Sequence, residues 1–243
     1  MRRCLLSLIT LVGVSSGGQA ACVDPATLVR STVGIAREFS EEERKTAPAV
    51  LGVRGTGWFL SPRLVVTAAH VAEAMRLSKQ DWKQLELRER ESKGSVPARI
   101  VRVVGSQSEK MAVIELTAEF PGAAPLPVRA EPLLPEEHVF SLAYPNGGLR
   151  FAGGRFAQYG TGDRFAGAAL LELYDGNDRL VLDHGASGAP VLDCEGRVVA
   201  VVSTLMTQTI RLPTGAVRVS TAWQTPNVVS IPADGLKGLF EVE

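Results

Sequence analysis

An all-β fold of antiparallel barrels or a sandwich is what this sequence predicts, and three observations carry the expectation. Apolar runs of four to six residues recur at short spacing, for example 57–60, 64–67, 111–116 and 198–203. The 24 glycines and 14 prolines lie scattered between these runs, where turns are needed. No long helical pattern alternates with the strands, which excludes a doubly wound parallel sheet. With 243 residues, 45% of them hydrophobic, the chain is long enough to bury one large core or two packed halves.

Read in order, the chain opens with Arg2 and Arg3, an apolar run from Leu5 to Val14, and small or polar residues ending Gly18-Gln19-Ala20. That is the layout of a secretory signal peptide cleaved near Ala20, and its core is too short to span a bilayer. A secreted or periplasmic chain starting at Ala21 follows, with lipidation of Cys22 as the weaker alternative, because Gln19 stands where an aliphatic residue would be expected. Cys4 leaves with this leader, so the mature chain keeps Cys22 and Cys194. Export makes a Cys22–Cys194 disulfide chemically available, and two unpaired thiols are the other reading.

Residues 21–48 mix polar and charged types, including Glu41-Glu42-Glu43-Arg44-Lys45, and read as a surface arm before a first barrel at 49–125. That barrel begins with a strand pair, Gly57-Trp58-Phe59-Leu60 and Leu64-Val65-Val66-Thr67, turning at Ser61-Pro62-Arg63. Val71 to Ser78 reads as one or two helical turns, and the charged stretch Asp81 to Lys93 as solvent-facing. Ile100 to Val104 and Met111 to Leu116 are further strands. A turn-rich stretch, Pro121 to Pro127, places the boundary near Pro125, and residues 126–243 form the second half. Its expected strands are Val139 to Ala143, Ala168 to Leu173, Val191-Leu192, Val198 to Ser203 and Ala216 to Ala222, with a tight turn at Cys194-Glu195-Gly196 and a short closing helix at Leu236 to Phe240.

Two segments carry chemistry. In Asp183-His184-Gly185-Ala186-Ser187-Gly188-Ala189-Pro190 a serine sits among residues too small to block its hydroxyl, and such a turn can aim the Gly185 and Ser187 N–H groups at one oxyanion. Thr67-Ala68-Ala69-His70 delivers an imidazole where a strand meets a helix, and a serine needs such a base to become nucleophilic. An α/β-hydrolase is excluded, because the histidine precedes the serine and Ala189 replaces the last glycine of that fold's nucleophile elbow. Three histidines with no cluster at ligand spacing predict no metal and no cofactor; His138 and His184 read as structural. Equal numbers of basic and acidic residues, 26 each, leave no bulk field to attract nucleic acid.

At these residues the chain resembles the trypsin-like serine peptidases, in particular their exported bacterial branch, over about Gly55 to Leu239. The 57–70 segment looks like the family's first hairpin and histidine motif, and Gly185 to Pro190 with Gly196 to Val201 like its nucleophile motif and hairpin. Ala143-Tyr144-Pro145 and Ser230-Ile231-Pro232 are weaker landmarks. The resemblance implies two six-stranded antiparallel barrels with the site in the cleft between them. It implies an endopeptidase acting on peptide or protein substrates, with His70 as base and Ser187 as nucleophile.

By the same resemblance the triad acid should open the strand Lys110 to Leu116, where Lys110 stands instead. Three readings follow: a catalyst impaired or retired into a peptide-binding module, a rescue by Glu109 if the strand opens on a bulge, or a carboxylate from elsewhere in the chain that the sequence does not locate. Ser203 stands where the family keeps a serine that supports the acid, or is a plain strand serine. Ala186 stands where many animal members carry an aspartate that pairs with a newly cut N-terminus, so no activating cleavage beyond leader removal is expected. Val181 falls near the floor of the specificity pocket, which implies small or apolar side chains. Ser203, Thr204 and Leu205 form the edge to which an extended substrate would add.

Overall fold

The computed structural model describes residues 22–46, 48–90, 92–105, 109–161, 165–174, 184–205, 207–212, 215–220 and 226–239. The leader with its cleavage site, and Val181, lie outside them. The first barrel consists of β1 (Thr32–Glu38), β2 (Gly52–Ser61), β3 (Leu64–Ala68), β4 (Lys83–Glu89), β5 (Ser92–Gly105) and β6 (Lys110–Leu116), closed in the order β1-β2-β3-β6-β5-β4. The second half supplies β7 (His138–Ala143), β8 (Arg150–Tyr159), β9 (Ala169–Tyr174), β10 (Pro190–Leu192), β11 (Val198–Leu205), β12 (Thr207–Leu212), β13 (Gly215–Ser220) and β14 (Val228–Pro232). Six of these close a second barrel in the order β10-β11-β14-β9-β8-β7, and β12 and β13 pair apart from it as a two-stranded ribbon. All neighbouring strands within the barrels run antiparallel.

Three layers of core follow from strand alternation. Successive residues point to opposite faces of a strand, and here both faces of the central strands are covered. Phe59, Val65, Ala112 and Ile114 fill the first barrel, while Val139, Ala143, Val191 and Leu171 fill the second. The intervening residues Trp58, Val66, Met111 and Val113 face outward, onto Phe140, Leu142, Leu192 and Val201 of the other barrel. This middle layer fixes how the barrels sit against each other, and so fixes the cleft.

Several elements differ from the sequence expectation. Residues 32–38, expected in a surface arm, form β1 and close the first barrel, with Val33 and Ile35 buried. Gly34, Ala36 and the flanking charges hide that alternation. The charged stretch after Asp81 holds β4, whose Leu85 and Leu87 are fully buried while its charges face out. The double glycine at 153–154 conceals β8, and the ribbon strand β12 and β14 are likewise additions to the expected set. The closing helix is a 3₁₀ turn over Ala233–Leu239. His138, expected to be structural, is exposed at the start of β7.

Two devices tie the linker and N-terminal segment down. The Cys22–Cys194 disulfide expected from the cysteine count is present, its Cα atoms 5.1 Å apart, and it joins the chain just before α1 (Pro25–Leu28) to the β10–β11 turn. Asp193 sets that turn by accepting the N–H groups of Glu195 and Arg197, each at 2.9 Å. Arg129, on the inter-barrel linker, is nearly buried and reaches Glu137, Asp193 and the Pro132 carbonyl oxygen. Burial opposes the Asp193 charge, but these N–H groups and the Arg197 guanidinium outweigh it and hold the carboxyl below its usual value. α2 (Glu41–Arg44) opens with a capping box between Ser40 and Glu43.

Candidate active site

His70 is placed by the end of β3. Ala68 stays extended as the cap of α3 (Ala69–Ala74), and the helix buries Ala69, Val71 and Ala72 against the barrel. With those three residues turned inward, His70 is left exposed on the cleft side. β6 runs beside β3 with Ala68 opposite Met111. The ladder ends at that pair, because Ala69 begins the helix, and Glu109 precedes the first residue of β6, so both side chains leave the same end of the β3–β6 pair.

The first ladder residue of β6 is Lys110, paired with Gly105. Lys110, expected at the acid's position, is exposed. Glu109 lies just before the ladder, so strand alternation does not dictate its direction, and no bulge in β6 is needed. Its carboxylate accepts the Ser203 hydroxyl, and its negative charge acts on His70. The His70 residue keeps solvent contact, yet desolvation of the ring lowers its pKa below 6.5, while Glu109 and then Glu73 oppose that fall.

Ser187 sits on a loop held by the first barrel. Its carbonyl oxygen accepts the Thr56 N–H at 2.9 Å. The Thr56 hydroxyl donates to the Gly185 carbonyl oxygen at 2.7 Å and accepts the Tyr144 N–H at 2.9 Å. Thr67 in turn donates its hydroxyl to the Thr56 carbonyl oxygen at 2.7 Å. Both threonines are fully buried, and with them one polar cluster joins β2, β3 and the nucleophile loop. Thr56 had no signal in the sequence, being a single threonine inside an apolar strand.

At Gly188 the nucleophile loop lies directly against the first barrel. This glycine has φ +93, and a Cβ there would fall 2.1 Å from both the Thr56 carbonyl oxygen and Thr67 Oγ1, and 3.0 Å from the Ala68 nitrogen. Only a residue without a side chain fits. The loop is thereby pressed against the strand end that carries His70. On the same side a Cβ at Gly55 would lie 2.5 Å from Val71 Cγ1 and 3.4 Å from the Ser187 carbonyl oxygen. The neighbours of His70 and of Ser187 thus share one small contact zone.

The Ser187 hydroxyl donates to the Ser203 carbonyl oxygen at 2.8 Å. Among the described residues no carbonyl accepts the N–H of Gly185 or of Ser187, and Gly185 has φ +97. β11 pairs with β10 only as far as Val201, beyond which Ala189 and Gly188 bond to Val202. Past that point the β10-side edge of Ser203 to Leu205 borders Ser187. Thr204 is exposed, and Leu205 pairs through its backbone with Val228. Ala186 is buried in the second-barrel core. His184 is exposed, with its carbonyl oxygen accepting the Asn146 N–H.

Residues 55–201 match the trypsin-like peptidase domain. The chain belongs to the trypsin-like peptidase family. Among solved structures it is similar to the Rv3671c protease from M. tuberculosis. The active form aligns at 20% identity and TM-score 0.57, covering 88% of this chain and 81% of that one. The inactive form aligns at the same identity and TM-score, covering 88% of each chain. A serine-to-alanine mutant in the inactive form gives TM-score 0.55, again at 20% identity, over 88% of this chain and 86% of that one. These likenesses bear on the fold, a double barrel of the chymotrypsin type. A search of the curated proteins returns no match. No helix among the described residues is long and apolar enough to cross a membrane.

Proposed function

We propose that this trypsin-like peptidase is an active serine endopeptidase whose triad is Ser187, His70 and Glu109. The observation that carries the reading is the charge of Glu109 acting on His70 while the same carboxylate accepts the Ser203 hydroxyl. In this mechanism His70 takes the Ser187 proton as Oγ attacks the scissile carbonyl carbon. Glu109 stabilises the imidazolium so formed, and the Gly185 and Ser187 N–H groups hold the oxyanion. His70 then protonates the leaving amine, and water hydrolyses the acyl-enzyme by the reverse route.

A hydroxyl has one proton, and in the free protein Ser187 spends it on the Ser203 carbonyl oxygen. A substrate extending along the edge at Ser203 to Leu205 would offer its own N–H to that carbonyl. Ser187 is then free to turn to His70. Binding of the acyl half therefore prepares the nucleophile. The lysine that suggested a retired catalyst plays no part in this arrangement, because the acid comes from the residue before it.

The leader composition and the disulfide support export to an oxidising compartment. A fluorophosphonate probe on the mature chain tests the enzyme reading. Labelling at Ser187, abolished in Ser187→Ala and strongly reduced in His70→Ala, is expected. An unlabelled, folded wild type would leave a binding module as the function.

A further inference from the structure

A shallow depression of about 30 Å³ opens beside the nucleophile loop, where the outer face of the first barrel meets Tyr144 and Gly147. It exists because β1 places two small residues, Gly34 and Ala36, side by side on that face. Gly34 stands opposite Arg88 on β4, and Ala36 opposite Arg54 on β2. Tyr144 packs its ring onto Gly34, at 3.1 Å from where a Cβ would be, and floors the depression. Its phenolic oxygen accepts the Arg90 N–H, leaving its own proton available.

Two guanidinium groups converge at the rim. Arg54 Nη1 and Arg88 Nη1 lie 3.8 and 3.9 Å from a Cβ position on Gly147. Glu86, the acid that lines the depression, is held by Lys93 at 2.6 Å. Among the described residues neither arginine has a carboxylate within ion-pair distance. The barrel therefore presents two forked cations over a hollow whose one lining carboxylate, Glu86, is engaged by Lys93. A planar carboxylate is the chemical group that such forks bind.

The position relative to Ser187 gives the hollow a role. Ser187 is flanked on one side by Ser203 of β11 and on the other by Thr56 and Gly55 of β2. If the acyl half of a substrate lies along β11, the half beyond the scissile bond leaves across Ser187 toward Gly55, and Arg54 is the next residue. We infer that Arg54 and Arg88 form a carboxylate-binding subsite for the leaving-group half of the substrate, which makes this enzyme prefer cleavage just before an acidic residue or near a free chain end. The assignment to the leaving-group half rests on the endopeptidase reading, and the preference for a carboxylate on the arginine pair alone.

The test uses internally quenched peptides that share one apolar acyl half and carry Glu, Gln or Lys at the first two positions after the scissile bond, all with amidated ends. One further Gln peptide keeps its free terminal carboxylate. The readout is the kcat/KM ratio of Glu to Gln peptides in wild type, Arg54→Gln, Arg88→Gln and the double variant. About a tenfold preference for Glu is expected, with Lys disfavoured, weakening as salt is raised and falling to about one in the double variant. A preference for the free-carboxylate Gln peptide over its amide instead assigns the subsite to a chain end.

Should no peptide be cut, the endopeptidase reading falls. The same peptides, fluorescein-labelled and followed by anisotropy, then read the subsite on its own. Tighter binding of the Glu or free-acid peptide, lost in the double variant, upholds it. Wild-type protein that treats Glu, Gln and the free acid alike, in cleavage or in binding, overturns it.

Discussion

Replacing Glu109 by Gln keeps the side chain's size and its capacity to accept the Ser203 hydroxyl, and removes only the charge that acts on His70. A carboxylate shifts a neighbouring imidazole at separations of about 4–6 Å. At about 5 Å, an effective dielectric constant between about 80 and 20 makes that charge worth roughly 1–3 kcal/mol to the imidazolium. Loss of orientation adds to this, and replacing the acid by its amide in a Ser-His-Asp protease costs about four orders of magnitude in turnover. We expect kcat to fall by about 10² to 10⁴, roughly 3–5 kcal/mol, with KM little changed, because the lost interaction belongs to the transition state. The pH profile supplies a second and independent reading. Desolvation lowers the His70 pKa below 6.5 and Glu109 pushes it back up, so the wild-type acid limb of kcat/KM should lie below 6.5. Without the Glu109 charge the limb should move to still lower pH, since nothing but Glu73 then opposes desolvation. Initial rates on a chromogenic peptide ester between about pH 4 and 8 measure both effects. A Gln variant within threefold of wild type with an unmoved limb would refute the assignment, as would a Lys110→Asp variant that gains turnover strongly.

Ser203→Ala removes the hydroxyl that Glu109 accepts and leaves the carbonyl that holds Ser187. A hydrogen bond to a charged group is worth about 1.5–3 kcal/mol, so kcat should drop by roughly 10- to 150-fold. Steady-state kinetics check it, and a loss that appears in KM alone would contradict a role in orienting Glu109. Gly188→Ala forces a side chain at φ +93 into two oxygen atoms 2.1 Å away. Strain and the forced separation of loop and strand should cost more than about 3 kcal/mol in stability and remove most Ser187 labelling. An alanine variant with the wild-type melting temperature and full labelling is the contrary result. The Cys22–Cys194 bridge closes a span of 172 residues, for which the chain-entropy relation gives about 5 kcal/mol as a ceiling. For the double serine variant we expect a loss of about 2–4 kcal/mol and a melting temperature lower by about 5–12 °C. A change under about 2 °C would mean that the N-terminal segment is held by its packing rather than by the bond.

How far the sequence was legible depended on which faces each strand buries. β3 and β6 read clearly because both of their faces are covered, so Val65 and Val66, or Met111 and Ala112, make continuous apolar runs. β1 and β4 bury one face each, and their outward residues are small in β1, Gly34 and Ala36, and polar or charged in β4. Leu85 and Leu87 were therefore the only signal in a segment that otherwise looked like a solvated loop. β8 was hidden for a different reason, since Gly153 and Gly154 lower strand propensity and carry no side chain to alternate. The site was legible at His70 and Ser187, where small residues surround a reactive group. It was legible by one residue less at Glu109, because the strand ladder begins at Lys110 and the register between β3 and β6 cannot be read from spacing alone.

The middle core layer makes catalysis and stability a single property of this chain. Trp58, Met111, Phe140 and Leu192 join the barrels, and the strands that carry them also carry the site. Trp58 follows Thr56 by two residues on β2, and Met111 follows Glu109 by two across the start of β6. Any rotation of one barrel against the other shifts Thr56 away from the Ser187 loop and Glu109 away from Ser203, before either barrel's own interior is disturbed. Since the interior clusters share no residue with this layer, a cavity made at Met111 or Phe140 acts on the docking alone. Such a cavity should cost activity at temperatures where each barrel remains folded. An equal cavity at Ile114 or Leu171 should instead lower folding and activity together. The triad is therefore as much a product of the packing between the barrels as of the residues that compose it.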